Sequence, residues 1–179
     1  GDAVTNAIEA DLVAQMAAAL FECGLSVDEL GIISPYRSQL RLLRDAMRNY
    51  PDAEINTVDK FQGRDKDCIL ISLVRSNDQL LTGDLLRDWQ RINVALTRAK
   101  RKLVLFGSRS TLSTLPLFEK LLDLLQSRNW IYTLQPGANR MTVIEYSTPR
   151  RASSRRLFGK KPKDVESAST LVAQPERVP

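Results

Sequence analysis

The chain has 179 residues, 43% of them hydrophobic, and a formal net charge of +5, which together predict one domain with a substantial core. It has no histidine and two cysteines, which excludes histidine general bases, Ser-His triads, disulfide frameworks and four-ligand zinc sites, so no metal site is expected. No apolar run approaches the ~20 residues of a membrane span and no signal-peptide pattern opens the sequence, so no membrane contact is expected. We expect Cys23 and Cys68 to be buried, reduced thiols of an intracellular protein.

The apolar periodicity predicts alternating helices and strands along the first 135 residues. The predicted helices cover 5–23, 35 to about 49, 85–97 and 115–126, and the predicted strands cover 30–34, 54–58, 67–74, 102–107 and 130–134. The expected buried faces are Ile8, Leu12, Met16 and Leu20 in the first helix, Tyr36, Leu40, Leu43 and Met47 in the second, and Leu85, Trp89, Ile92 and Leu96 in the third. Strands that alternate with helices predict an α/β domain with a mainly parallel sheet and right-handed crossovers.

The composition changes after residue 135. Residues 1–135 carry 17 basic and 17 acidic side chains, whereas residues 136–179 carry 9 and 4, so the whole positive excess lies in the last quarter. This part is also rich in Pro, Ser and Arg and has no periodicity. We therefore predict a folded domain over 1–135 and a basic, mostly disordered tail over 136–179. Within the tail, an isolated edge strand over 141–146 is left open.

A basic stripe follows the first predicted strand. Arg37, Arg41, Arg44 and Arg48 recur along the second helix at spacings of four, three and four residues. Such a stripe is suited to phosphate contacts. It is also typical of a solvated helix face whose arginine stems cover apolar surface, and the residues alone leave both interpretations open.

The stretch TVDKFQGRD, residues 57–65, is predicted to connect two strands. Gly63 permits positive φ or a close backbone approach, and Thr57, Asp59, Gln62 and Asp65 surround it. A loop of this kind can present N–H groups and side-chain oxygens to a phosphate, a sugar or a metal-bound water. The alternative is a polar connection with a turn glycine.

The stretch RINVALTRAK, residues 91–100, ends the third helix. Arg91 and Arg98 are seven residues apart, so they lie on one helix face. Helix C-termini favour cations, so Arg98 and the basic residues after it are also explained by the helix dipole alone.

Taken together, GIISPYRSQ, TVDKFQGRDKD and RINVALTRAK resemble, in order and spacing, motifs IV, V and VI of superfamily-1 helicases. The resemblance covers roughly residues 5–134 and is strongest to the branch of RNA-decay helicases and replication nuclease-helicases. VRSN, LLRDWQRINVALTRAK and PLFEKLLDLL are most similar to the nuclease-helicases that process Okazaki-fragment flaps.

The resemblance implies the second lobe of a three-layer, RecA-like P-loop NTPase fold, which meets a first lobe across a bound ATP with Mg²⁺. It implies that Arg98 is an arginine finger that reaches the γ-phosphate, with Gln62, Gly63, Asp65 and Arg91 on the nucleotide side. Ser34, Tyr36, Arg37 and Thr57 are implied as nucleic-acid contacts. Asp65 stands where a glutamate is more usual and is one methylene shorter.

The sequence lacks a G-x-x-x-x-G-K-[S/T] loop and an Asp-Glu pair in a Walker B context. We therefore expect a fragment of a longer protein that is inactive as an ATPase by itself. The resemblance places nuclease carboxylates and iron–sulfur cysteines upstream. It implies the C-terminal motor lobe of an ATP-dependent DNA helicase/nuclease that acts on single-stranded or flap DNA in replication and end resection. An RNA helicase lobe of the decay type and a non-catalytic docking module are the alternatives.

The tail contains three short signals. TPRR, 148–151, resembles a cyclin-dependent kinase site, RRLFG, 155–159, resembles a cyclin-docking motif, and RRASSRR with KKPK resembles a nuclear import signal. These patterns predict a cyclin-dependent kinase complex as a partner and a nuclear location, with a mitochondrial one left open. A solvated basic tail is the alternative.

Overall fold

The computed structural model describes residues 4–77, 79–140 and 169–173. Its helices are α1 (Ala7–Glu22), α2 (Arg37–Ala46), α3 (Asp84–Arg87), α4 (Trp89–Leu96), α5 (Arg109–Leu112) and α6 (Pro116–Ser127). Its strands are β1 (Leu30–Ile33), β2 (Glu54–Asn56), β3 (Lys66–Ser72), β4 (Ala99–Gly107), β5 (Ile131–Thr133) and β6 (Ser169–Ala173). Short 3-10 turns cover Val27–Glu29, Val58–Phe61 and Ala138–Arg140.

The strands form one sheet in the order β2-β1-β3-β4-β6-β5. The first four are parallel, with Ile32 beside Ile55 and Leu70, and Leu70 beside Val104. β6 is antiparallel to both β4 and β5. The mainly parallel α/β sheet is therefore confirmed. The sequence predicts no strand at β6, because this strand follows a Pro- and Ser-rich stretch and pairs with residues far away in the chain.

Helices cover both faces of the sheet, which gives the expected three layers. On one face, α1 and α2 pack in a core of Ala10, Leu12, Val13, Ala17, Leu30, Ile32, Leu40, Leu43, Met47, Ile55, Cys68, Leu70, Val104, Phe106 and Ala138. On the other, α3 to α6 pack in a core that includes Ile33, Phe61, Ile69, Ile71, Leu86, Ile92, Ala95, Leu105, Leu112, Phe118, Leu122 and Leu125. Alternate residues of β3 enter opposite cores, which explains why this strand is an unbroken apolar run.

The buried face is predicted well for α2 and only in part for α1, where Leu12 is buried and Met16 and Leu20 are partly buried. Tyr36, Leu40, Leu43 and Met47 are all buried, whereas Ile8 is 50% exposed. The residues that α1 buries are Glu9, Ala10, Leu12, Val13 and Ala17. Asn6 caps this helix by accepting the Glu9 N–H at 3.0 Å, and the helix then turns its small residues towards the sheet.

The predicted helix 85–97 is divided into α3 and α4. Asp88 ends the first and caps the second, where its carboxylate accepts the Arg91 N–H at 3.2 Å. The break rotates α4, so Trp89 is 61% exposed rather than buried, and Leu86, Ile92 and Ala95 face the core. The apolar periodicity continues across Asp88 and does not reveal this break, although aspartate favours helix caps and is the one local signal for it.

Two further expectations are corrected. Cys23 is exposed at the end of α1, while Cys68 is buried and desolvation raises the pKa of its thiol to about 11. Packing also continues past residue 135. Ala138 is buried against the α1 face of the sheet, and the Asn139 amide donates to Asp11 at 3.0 Å.

The predicted strand 141–146 and the tail signals at 148–151 and 155–159 lie outside the described residues. Within the described ranges, no helix is both long and apolar enough to cross a bilayer. The same part of the chain holds no group of three or more acidic or cysteine side chains arranged for a metal ion.

Candidate functional site

The structure divides the predicted site residues between two edges of the sheet. Ser34 follows β1 and Thr57 follows β2, so both lie at the carboxyl edge of the parallel strands. Asp65 precedes β3 and Arg98 precedes β4, so both lie at the amino edge. Gln62 and Gly63 lie on the connection from the end of β2 to the start of β3, which runs from the carboxyl edge to the amino edge. Helix α4 packs beside this connection and runs in the same direction.

A cleft of about 400 Å³ opens at the carboxyl edge. It is lined by Val4, Pro35, Tyr36, Arg37, Ser38, Thr57, Val58, Asp59, Leu85, Arg91 and Ile92. Arg37 is exposed and makes no ion pair with any described residue. The cleft therefore combines apolar walls with an unpaired guanidinium, a combination suited to an anionic ligand that also has an apolar part.

Two of the predicted contact residues are buried at this cleft, Tyr36 in its wall and Ser34 just before it in the chain. Ser34 is fully buried, and its hydroxyl accepts the Tyr36 N–H at 3.3 Å. Tyr36 is also buried, and its hydroxyl donates to the Thr82 carbonyl at 3.0 Å. Ser34 thus shapes the turn that presents Tyr36 and Arg37, and a direct contact by the Ser34 hydroxyl stays a prediction.

Arg91 lies with the cleft residues rather than beside Arg98. Its Nε is 3.3 Å from Asp59 and 3.5 Å from Asp88. The first of these ion pairs ties α4 to the 57–65 loop. The resemblance groups Arg91 with Arg98 on the nucleotide side. In the structure Arg91 lies at the carboxyl edge of the sheet, whereas Arg98 lies at the amino edge.

Arg98 is folded back against its own domain. Its Nη1 donates to Asp65 Oδ1 at 2.8 Å, its Nε donates to the Val94 carbonyl at 3.0 Å, and the side chain is 20% exposed. Its backbone carbonyl accepts the Lys66 N–H at 3.1 Å, which joins the starts of β3 and β4. Asp65 therefore reaches Arg98 despite being shorter than a glutamate.

The two ion pairs Arg91–Asp59 and Arg98–Asp65 hold the 57–65 loop along α4 at both ends. Between them, Gln62 is exposed and Gly63 has φ of +76° with open space where a Cβ would be. Only glycine adopts this backbone conformation without strain. The loop thus presents an exposed amide side chain and an accessible stretch of backbone just before Asp65, the residue that pairs with Arg98.

A buried polar network that joins α1, α2 and the end of β3 is absent from the sequence prediction. Glu9 is 2% exposed, and its Oε2 accepts the Ser72 hydroxyl at 2.7 Å and the Val74 N–H at 2.9 Å. Gln39 donates to the Ser72 hydroxyl at 3.2 Å. Burial raises the pKa of the Glu9 carboxyl to about 7, against hydrogen bonds from Ser72 and Val74 that lower it.

A sequence signal for this network does exist. Asn6 followed three residues later by Glu9 has the spacing of a helix capping box, in which the glutamate would bond back to the backbone of the cap. In the structure the Asn6 N–H instead donates to Gln39 at 2.8 Å, and Glu9 turns inward to β3. Gln39 accepts the Asn6 N–H that Glu9 would accept in a capping box, and Glu9 accepts the Val74 N–H instead. The cap pattern alone therefore predicts the wrong hydrogen bond.

A family model described as an AAA domain matches residues 1–110. The chain is 49% identical over 144 residues to the DNA replication ATP-dependent helicase/nuclease of Schizosaccharomyces pombe, which covers 80% of this chain and 10% of that protein. For the protein of the same name in Saccharomyces cerevisiae, identity is 42% over 155 residues, or 86% of this chain and 10% of that one. For the Homo sapiens protein, identity is 46% over 132 residues, which covers 73% of this chain and 12% of that protein.

The chain thus spans about a tenth of the length of these relatives. The helicase resemblance seen in the motifs and the three-layer, RecA-like fold agree with these matches. Because the family model covers more than half of the sequence, the chain belongs to the AAA domain family, and most of its length is similar to one segment of the replication helicase/nucleases.

Proposed function

We propose that this chain is the C-terminal motor lobe of an ATP-dependent DNA helicase/nuclease that acts in flap processing and end resection. In this proposal it supplies an arginine finger, Arg98, and part of the contact with single-stranded DNA. The observation that carries the proposal is the ion pair of Arg98 with the exposed Asp65 carboxylate, which follows the open Gly63 backbone by two residues and is the only ionic partner of Arg98 among the described residues. The similarity to replication helicase/nucleases supports it.

The residues present fit one side of an ATP–Mg²⁺ site. Arg98 and the Gly63 backbone offer a cation and N–H groups, which suit phosphate oxygens. The phosphate-binding loop is absent from this sequence, so the first lobe of the same protein would hold most of the nucleotide. Bound ATP supplies the free energy of movement through its hydrolysis. The isolated chain is therefore expected not to hydrolyse ATP.

Arg98 is suited to act only when a partner lobe closes. Its ion pair with Asp65 is partly exposed, and pairs of this kind contribute about 0–1 kcal/mol. Arg98 therefore leaves Asp65 at small cost when a more highly charged group approaches. A planar guanidinium stabilises the charge that develops during phosphoryl transfer, and such fingers contribute about 10³–10⁵ in rate.

The 57–65 loop connects this arginine to the proposed DNA contacts. It begins at Thr57 in the cleft, beside Tyr36 and Arg37, and it ends at Asp65, the partner of Arg98. A movement of Arg98 away from Asp65 frees one end of the loop while the Arg91–Asp59 pair still holds the other. The loop is thus the physical link by which nucleotide-dependent closure changes the contact with DNA.

The names of the relatives favour DNA over the RNA-decay alternative, since those proteins are replication enzymes. The proposal further includes a nuclear location, an iron–sulfur cluster and nuclease carboxylates elsewhere in the protein, and a cyclin-dependent kinase complex at the tail. A non-catalytic docking module is disfavoured because Gln62, Gly63 and Arg98 are all retained.

The test is Arg98→Lys in the complete enzyme. Lysine keeps the charge but loses the planar fork, so we expect DNA-stimulated ATP hydrolysis to fall about 10³–10⁵-fold. Binding of a fluorescent ATP analogue is expected to be largely kept. Arg101→Lys is the matched control, because Arg101 is 81% exposed and pairs with Asp67. Hydrolysis by Arg98→Lys at close to the control rate would refute the arginine-finger assignment.

A further inference from the structure

The connection that follows β3 contains a strained turn. Val74 has φ of +69°, and the Arg75 N–H donates to the Leu73 carbonyl at 2.8 Å across it. This is a γ-turn in its rare, positive-φ form. A β-branched residue in this region is a genuine outlier, and such strain costs about 1–3 kcal/mol and persists only where the surroundings enforce it.

Glu9 supplies that enforcement. Its buried carboxyl group accepts the Val74 N–H at 2.9 Å and the Ser72 hydroxyl at 2.7 Å, so it bonds to the backbone on the near side of the turn. The Asn6 side-chain amide donates to the Val74 carbonyl at 3.2 Å. Both polar groups of the Val74 backbone are therefore bonded by residues at the start of α1.

The turn places Arg75 over a cleft residue. The Arg75 guanidinium carbon lies 5.5 Å from the centre of the Tyr36 ring, and Nε donates to the Tyr36 hydroxyl at 3.3 Å. Gly83 leaves room for this side chain, since a Cβ there would lie 2.9 Å from Arg75 Nη2. Stacking, one hydrogen bond and a glycine together fix the guanidinium at one position.

The terminal nitrogens of Arg75 make no ion pair with the part of the chain that the structure describes. Among residues 4–77 and 79–140, no carboxylate lies within ion-pairing distance of Arg75, and its hydrogen bond to Tyr36 uses Nε alone. The side chain is partly exposed. An arginine that is fixed, half-buried and without an ion pair in these ranges is pre-organised to bind an oxyanion with its remaining N–H groups.

We propose that Arg75 binds a backbone phosphate of single-stranded DNA beside Tyr36, and that Glu9 is the positioning residue that holds Arg75 there through the Val74 turn. This inference rests on the proposed function, since it takes the Tyr36–Arg37 cleft as a DNA contact. It adds a phosphate contact from outside the three motif segments that carry the proposed site. It also gives the buried Glu9 network a role in binding as well as in folding.

The test measures the affinity of the complete enzyme for a fluorescent oligodeoxythymidylate across a series of salt concentrations, together with ATP hydrolysis as a function of DNA concentration. Arg75→Gln is expected to raise the Kd about tenfold and to reduce the slope of log K against log salt by about 0.7, the loss of one phosphate contact on a single strand. The DNA concentration that gives half-maximal ATP hydrolysis is expected to rise by a similar factor. Arg101→Gln removes the same charge at the other edge of the sheet and is expected to change the Kd and the slope much less.

The positioning role is tested with two substitutions at Glu9. Glu9→Ala is expected to weaken DNA binding as much as Arg75→Gln does, and the double variant is expected to bind no more weakly than Arg75→Gln alone. Glu9→Gln keeps an acceptor for the Val74 N–H and is expected to restore the affinity. Where Glu9→Ala does not fold, Glu9→Asp takes its place, since its carboxyl group is one methylene too short for Val74.

Three outcomes would overturn the inference. The first is an Arg75→Gln enzyme with the wild-type Kd at every salt concentration. The second is additive losses in the double variant, and the third is a Glu9→Gln enzyme as weak as Glu9→Ala. The proposed function is judged separately by Arg98→Lys, which is expected to lose hydrolysis but to keep DNA binding. A loss confined to Arg98→Lys therefore rejects the role of Arg75 and leaves the motor assignment intact.

Discussion

The two edges of the sheet hold their candidate residues in different ways. At the carboxyl edge, Tyr36 is buried and hydrogen-bonded, and the Glu9 network at the end of β3 is buried too. At the amino edge, Arg98 is held by Asp65, with side chains that are 20% and 50% exposed. A buried polar group that loses its partner costs about 1–3 kcal/mol, whereas an exposed ion pair contributes about 0–1 kcal/mol.

This difference matches the two proposed tasks. A surface that binds DNA benefits from groups already fixed in the binding geometry, because less entropy is then lost on binding. An arginine that must reach a nucleotide on another lobe benefits from a weak partner that it can leave. The carboxyl edge is therefore pre-organised, and the amino edge is arranged to change. Urea denaturation of the 179-residue chain tests this contrast, because substitutions at the fixed carboxyl edge are expected to change stability more than substitutions at the amino edge.

The largest expected effect is a dependence of stability on pH that comes from Glu9. Its pKa is raised from 4.5 to about 7, so between these values the folded chain keeps a proton that the unfolded chain has released. The contribution of Glu9 to the free energy of unfolding is therefore fully present below about pH 4.5, falls as pH rises to 7, and levels off above. Across this window the fall is about 3 kcal/mol.

Glu9→Gln isolates this contribution, because glutamine resembles the protonated acid and does not titrate. The difference in unfolding free energy between wild type and Glu9→Gln is expected to shift steadily between about pH 4.5 and 7 in favour of the variant. A difference that stays constant over this range would show that Glu9 is solvated, and the carboxyl edge would then lack its buried centre.

A smaller loss is expected for Tyr36→Phe. The substitution keeps the ring but leaves the Thr82 carbonyl and Arg75 Nε without a partner at the hydroxyl position. We expect the free energy of unfolding to fall by about 1–2 kcal/mol. Tyr132→Phe is the matched control, since Tyr132 is exposed and its change is expected to stay within about 0.5 kcal/mol. Equal effects at both positions would contradict a fixed carboxyl edge.

The smallest loss is expected for Asp65→Asn at the other edge. Removing the charge breaks the pair with Arg98, yet stability is expected to fall by less than about 1 kcal/mol. Asp67→Asn, which breaks the pair with Arg101, is the control and is expected to behave alike. A loss well above that of the control would mean that Arg98 is locked in place rather than free to leave.

The sequence predicts much of the fold because its strongest patterns are local. The apolar runs at β3 and β4 predict a buried parallel sheet, and the stripe of α2 predicts the face that packs on it. The motif residues Tyr36, Arg37 and Thr57, which are distant along the chain, meet in one cleft because they follow neighbouring strands. The order of the strands along the chain and the rule for parallel crossovers therefore suffice to predict that these three residues lie close together.

What the sequence fails to predict depends on contacts between distant residues. Glu9 acts on Val74, 65 residues away, and a glutamate in the first turn of a helix is ordinarily a solvated residue. Trp89 has the spacing of a core residue but is exposed, because the Asp88 cap resets the rotation of α4. The separation of Arg91 from Arg98 across the sheet likewise follows from the direction of α4, which spacing alone does not fix.

The most direct test of the account is a structure of the complete enzyme with single-stranded DNA and a non-hydrolysable ATP analogue. We predict that the Arg98 guanidinium leaves Asp65 and lies within about 3.2 Å of the terminal phosphate oxygens. Arg98 still paired with Asp65, or turned into solvent while the analogue occupies the other lobe, would contradict the assignment of this chain as the lobe that completes the ATPase site.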